Sequence, residues 1–276
     1  MKRGTKFKDL LRGLLPKEVI DRIPRSFYIV GDIALIALDE DIARSHGKVV
    51  AQAIMQLHPS VKAVFARGPR YGVERVPKLI HLGGERRTTT IHREYGIRML
   101  VDVEKTYFNP ALSEEHRRVA ETVRNGYRVA DLFTGVGPFA LHAAKNSFCY
   151  VLASDINIDA VKLLQRSIGM NKLRGLVEPI HADSIGLLRS RSLMSRFDVV
   201  IMNLPHEAYK YVADALEIAR RGGLVHVYVV ARSEDEAASL VSEHAGASAR
   251  YRILEIRRAI DYAPRKYVFR VTIERV

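Results

Sequence analysis

The chain has 276 residues, 47% of them hydrophobic, a single cysteine and a formal net charge of +13. That length builds one large or two modest domains around a sizeable core. No apolar run reaches membrane-spanning length, residues 1–6 lead into no signal-peptide core, and a lone Cys149 cannot close an internal disulfide; a cytoplasmic protein with a polyanionic partner, most simply nucleic acid, is the expectation.

Residues 1–25 are basic and amphipathic, with Phe7, Leu10, Leu11, Leu14 and Leu15 at helical spacing and Pro16 and Pro24 as punctuation. Two apolar runs then flank Gly31-Asp32, a two-residue turn of hairpin type. The pattern predicts a helix over 40–57, a strand over 61–67 and a glycine- and arginine-rich loop over 67–75. Short strands are predicted at 79–82, 88–92 and 97–103. Residues 1–105 therefore read as a small α+β domain with a basic arm, and it carries no nucleotide motif of its own.

From residue 112 helices and strands alternate, which defines a second domain over 106–276. Ser113 ahead of Glu114 and Glu115 reads as a helix cap, with the helix running to about 125–126. Strands follow at 128–133, 150–155, 177–181, 198–202 and 224–230, separated by helices from 138, over 158–171, over 207–220 and over 234–245. Two more strands, 253–258 and 267–273, close the chain. The fold class is α/β: an open, doubly wound sheet with an antiparallel C-terminal end.

The stretch from Val129 to Ala140 reads as a buried strand, a tight glycine turn and a helix start. Gly135 and Gly137 let the backbone turn sharply and let a ligand approach it. Asp131 ends the strand with its carboxylate expected to point into the crevice. A dinucleotide fingerprint wants a third glycine where this chain has Ala140. An acidic strand end beside G-x-G suits a cationic ligand without a phosphate, and S-adenosylmethionine (AdoMet) fits. Asp155, about 20 residues beyond the turn, is placed to accept both ribose hydroxyls. Asp183, ending the next strand, is placed to accept from an adenine amino group. Each of these acids could equally cap a helix.

Residues 26–276 resemble the archaeal and eukaryotic tRNA guanine-37 N1-methyltransferases. The resemblance rests on Asp131 to Phe139 (D-L-F-T-G-V-G-P-F), Asp155 to Ala160, Met202 to Pro205 (M-N-L-P) and Tyr262 to Tyr267 (Y-A-P-R-K-Y). It implies a class I, Rossmann-like AdoMet enzyme that methylates the base beside the anticodon and binds the anticodon stem-loop of tRNA as a monomer. It carries cofactor contacts onto Tyr107, Asn109, Asp131, Phe133, Gly135, Val136, Gly137, Asp155, Ile156, Asp183 and Asn203.

Guanine N1 is protonated at neutral pH, so methylation needs a base for that proton and a donor or cation for the charge growing on O6. The resemblance puts the base at Glu115 and the cation at Arg75, with Asn203 and Pro205 shaping the pocket. Bland readings stand beside these: Glu115 complements a helix dipole, Arg75 holds a phosphate, Asn203-Leu204-Pro205 ends a strand. The target base lies in folded RNA and must be splayed out. Arg257, Arg258, Arg265 and Lys266 are candidates to hold phosphates. His81 and His92 show no metal spacing, and no metal ligand is assigned.

Two features depart from the family pattern. Its usual Ser-Pro-Arg is here Asn109-Pro110-Ala111, and the N-terminus is short for the extra small domain of many members. Both resemble the sister wybutosine-pathway aminocarboxypropyltransferases, which transfer a different part of AdoMet to a tricyclic base made from guanine 37. Pro138-Phe139 and Asn203-Leu204-Pro205 favour methyl transfer. A non-catalytic AdoMet- and RNA-binding protein is the remaining alternative.

Overall fold

A computed structural model describes residues 7–71, 76–246 and 250–276 of the chain. They form two compact units, one of 1–94 with 98–110 and one of 95–97 with 111–276. Residues 106–110 thus belong with the first unit rather than the second.

In the first unit the amphipathic arm forms α1 (Phe7–Leu11) and α2 (Lys17–Arg22). β1 (Tyr28–Val30) and β2 (Ile33–Ala37) pair antiparallel about Gly31-Asp32, the hairpin the turn residues predict. α3 (Glu40–Leu57) is amphipathic and carries the chain over to β3 (Ala63–Tyr71), parallel to β2, and β4 (Val76–Gly84) returns antiparallel. Phe7, Leu11, Ile36, Ile54 and Val64 share one core beneath α3. β5 (Thr89–Glu94) and β6 (Ile97–Asp102) make a separate two-stranded sheet. The carboxylate of Asp32, at the hairpin turn, accepts from Thr90 Oγ1 at 2.6 Å and pairs with Arg87. The Arg87 guanidinium holds that carboxyl below its ordinary range. Residues 67–71, expected as loop, continue strand β3.

In the second unit α4 (Ser113–Ala120) precedes β7 (Arg128–Leu132), α5 (Pro138–Asn146), β8 (Tyr150–Asp155), α6 (Ile158–Gly169) and β9 (Leu176–His181). Then come α7 (Ser184–Leu188), β10 (Phe197–Met202), α8 (Val212–Ile218), β11 (Ala219–Ala231), α9 (Glu234–His244), β12 (Tyr251–Ala263) and β13 (Lys266–Arg275). The sheet order is β12-β13-β11-β10-β7-β8-β9. From β7 the chain winds outward through β8 and β9, then returns to β10 on the other side. The parallel strands therefore reverse direction of winding between β7 and β10, and their carboxyl ends open a crevice there. β13 is antiparallel to β11 and to β12. Val129, Val151, Val199, Val227 and Val271 are fully buried, as a sheet covered on both faces requires.

Three expectations need correction. Ser113 is not the cap of α4: Leu112 holds that position, no side chain caps the helix, and the helix stops at Ala120. The helix expected over 207–220 is a 3-10 turn (Ala208–Tyr211) followed by the short α8. β11 begins at Ala219, with an irregular register against β10 between Phe197 and Val199 that absorbs Gly222-Gly223. Cys149 is buried as expected, and burial pushes its thiol up to about 11. Among the described residues no helix is long and apolar enough to cross a membrane.

Candidate active site

β7 ends at Leu132, and the chain turns through Phe133 (φ 71°), Gly135 (φ 56°) and Gly137 (φ 80°) before α5 starts at Pro138. Three left-handed residues in five make the turn too tight for an ordinary loop; a Cβ on Gly137 would stand 2.2 Å from Leu164 Cδ1. Pro138 fits the first helical turn, where its missing N–H is not needed. Asp155 Oδ2 accepts from Gly135 N at 2.7 Å, and its Oδ1 accepts from Asn157 N at 2.9 Å. The acid expected for the ribose therefore also ties the end of β8 to the glycine turn.

Asp131 departs from its expectation. The residue is 0% exposed rather than open to the solvent, its Oδ2 accepts from Thr134 Oγ1 at 2.6 Å, and its Oδ1 is buried without a hydrogen-bond partner. Burial pushes its carboxyl up to about 7, and the nearby Asp155 adds to the rise. Asp183 is exposed and caps α7 through Ile185 N at 3.0 Å, the bland reading weighed for it, with its second oxygen outward. Ile156 is 44% exposed beside Asp155, an apolar surface at the crevice rim. Val136 is fully buried in the turn.

Asn203 and Pro205 follow β10 at the point where the winding reverses. The Pro205 carbonyl accepts from Val230 N at 3.0 Å, which fixes the loop to β11. Asn203 Oδ1 is buried without a hydrogen-bond partner. A buried acceptor left open at a crevice is costly unless a ligand donor fills it.

Glu115 is 3% exposed and sits under the antiparallel end of the sheet. Its Oε1 accepts from Arg257 Nε at 3.0 Å, and its Oε2 from Arg270 Nε at 2.9 Å and Tyr228 Oη at 3.3 Å. Arg257, expected on phosphate, is thus committed to Glu115. Arg258 pairs with Asp261 and lies 3.6 Å from the Tyr267 ring centroid. Arg265 turns the β12–β13 hairpin with φ 58°. Arg270, Tyr228 and His226 were missed in the sequence. A charged residue in the apolar run Val268-Phe269-Arg270-Val271 was the available signal, because arginine is almost never buried unpaired.

Two predicted cofactor contacts, Tyr107 and Asn109, lie in the first unit, where Tyr107 lines a small hollow with Val30, Leu35 and Arg67. Arg75 lies outside the described residues.

The sequence matches the TRM5/TYW2 methyltransferase domain over residues 90–254 and the TYW2 N-terminal domain over residues 7–88. It is 38% identical over 228 residues to the tRNA (guanine(37)-N(1))-methyltransferase Trm5b of Pyrococcus abyssi, covering 82% of this chain and 66% of that protein. The fold is similar to that of aTrm5 in its complex with tRNALeu (TM-score 0.86, 33% identity, 100% of this chain and 80% of that one). It is also similar to Methanocaldococcus jannaschii Trm5 in complex with adenosine (TM-score 0.82, 33% identity, 98% and 78%).

Proposed function

The chain belongs to the TRM5/TYW2 methyltransferase family, and on that premise we propose that it uses AdoMet to methylate N1 of guanine 37 in tRNA. The observation that carries this reading is Asn203 Oδ1, a buried acceptor without a partner at the switch point of the sheet. Guanine presents N–H donors on its Watson–Crick edge, so a splayed-out guanine satisfies that oxygen.

The residues of the crevice fit AdoMet. Asp155 accepts from the ribose hydroxyls, Asp183 from the adenine amino group, and Ile156 and Phe133 offer apolar surface. The 135–137 turn brings backbone close to the ligand without the third glycine a pyrophosphate wants. Asp131 acts from beneath the turn as a buried acid that a cation above it favours in ionised form. Tyr107 and Asn109 are assigned to the same ligand by family resemblance. When bound, AdoMet supplies an electrophilic methyl group on a sulfonium.

Glu115 takes the N1 proton, Arg75 is assigned the charge growing on O6, and Asn203 with Pro205 holds the base in the attacking orientation. Arg258, Arg265 and Lys266 hold phosphates of the anticodon stem-loop. The enzyme acts in this reading as a cytoplasmic monomer.

The test uses AdoMet labelled either in the methyl group or in the carboxyl carbon. Each is given to the protein with tRNA bearing G37 and with tRNA bearing the demethylwyosine precursor. Methyl label entering G37, lost in Glu115→Gln, is expected. Carboxyl label entering only the precursor tRNA would overturn methyl transfer in favour of aminocarboxypropyl transfer. No transfer by a protein that still binds AdoMet would leave a binding protein.

A further inference from the structure

We infer that Arg270 is a positioning residue for Glu115, fixing Oε2 so that Oε1 is the oxygen that takes the guanine proton. This rests on the proposed role of Glu115 as the base. A carboxylate oxygen accepts about two hydrogen bonds. Oε2 already has two donors, Arg270 Nε at 2.9 Å and Tyr228 Oη at 3.3 Å, and both donors are buried. Oε1 has one, Arg257 Nε at 3.0 Å, on a side chain that is 35% exposed. The open acceptor position is on Oε1.

Arg270 is suited to the task because every nitrogen of its guanidinium is used. Nε holds Glu115, Nη1 donates to Thr272 Oγ1 at 2.8 Å, and Nη2 donates to Glu255 Oε2 at 2.9 Å. Its side chain is 5% exposed. A planar fork pinned at three points cannot swing, so the carboxylate it holds keeps one orientation. Arg257 has its one hydrogen bond to Glu115 and a solvent-facing side, and it is the partner that can yield.

Charged and titratable groups face Glu115 from each element around it. Arg257 on β12, Arg270 on β13 and Tyr228 on β11 bond it directly; Glu255 and His226 touch Arg270, Asp131 on β7 acts on Tyr228, and His116 on its own helix meets His142 on α5. Tyr228 stays protonated, since burial and the Glu115 carboxylate raise it well above its usual range. It can donate but not compete as a base.

The experiment measures single-turnover methyl transfer to G37 tRNA against pH for wild type, Glu115→Gln, Arg270→Lys, Tyr228→Phe and Arg257→Ala, each with its AdoMet affinity and melting temperature. Arg270→Lys keeps the charge and loses the fork; its plateau rate is expected to fall about tenfold or more, with AdoMet affinity within about twofold. Tyr228→Phe, which retains both cations, is expected to lose about threefold on the plateau. Arg257→Ala, which removes the partner that yields to the base, is expected to lower the plateau by less than Arg270→Lys does. An Arg270→Lys plateau within about threefold of wild type would overturn the inference; so would an Arg257→Ala plateau that falls as far as that of Arg270→Lys. If Arg270→Lys does not fold, the other two profiles decide. Wild-type transfer by Glu115→Gln would instead remove the base assignment itself, a separate failure.

Discussion

Two carboxylates are buried in the second unit, and the sheet treats them in opposite ways. Asp131, at the centre, has a threonine hydroxyl and no cation, and it is held as the neutral acid up to about pH 7. Glu115, under the antiparallel end, has two guanidiniums and a tyrosine hydroxyl. Both are nearly inaccessible to solvent. Burial alone therefore does not decide what a carboxyl does; the donors around it do. The difference suits two roles. An acid without a counter-ion answers a cationic ligand when one arrives, whereas an acid gripped by two guanidiniums is held in one orientation.

The comparison is most severely tested by taking a cation from Glu115. Arg270→Met strands a buried charge, and the unfolding free energy in denaturant is expected to fall by about 3–5 kcal/mol. Adding Glu115→Gln should recover much of that loss, because the stranded charge goes with it; additive losses in the double-mutant cycle would mean the pair is not coupled.

Smaller effects come from the groups that titrate. Asp131 is raised in the fold, so between about pH 4 and 7 the native state keeps a proton the unfolded chain has released, and stability falls as pH rises through that window. His226, buried beside Arg270, is lowered from 6.5 to about 3, so its contribution is present above about pH 6.5 and is lost as pH falls toward 3. The two slopes oppose one another. Asp131→Asn should gain on wild type by on the order of 2 kcal/mol between about pH 4 and 8 and expose the histidine slope, while His226→Gln exposes the opposite one. Melting temperatures across pH for both variants would show parallel curves if neither group titrates with folding. The smallest effect is at the start of α4: Ser113→Ala should change stability by less than about 0.5 kcal/mol, since no cap is lost, against the roughly 1 kcal/mol a capping serine contributes.

What the sequence made legible follows the same division. The centre of the sheet was readable because its signals are local. β8 begins and ends where the apolar run does, Gly137 and Pro138 mark the start of α5, and Asn157 caps α6 two residues after Asp155. The Asp131 to Gly137 turn was placed correctly, yet the depth at which the Asp131 side chain is buried was not foreseen. That depth depends on Thr134 folding back over the strand end and on the left-handed Phe133, neither of which spacing reveals. The antiparallel end was read less well. β12 has no fully buried residue on either face and three register irregularities, which blur a period of two, and both final strands run longer than expected. The partners of Glu115 are 113 to 155 residues away in the chain. No local pattern links them.

That separation has a consequence for how the protein comes to exist. Glu115 is matched by Arg270 across 155 residues, and Arg257 and Arg270 both arrive with the last two strands. Only when the terminal hairpin joins the sheet edge is the acid roofed over, and a loop of that span closes slowly. The acid has both of its cations only once β12 and β13 are in place.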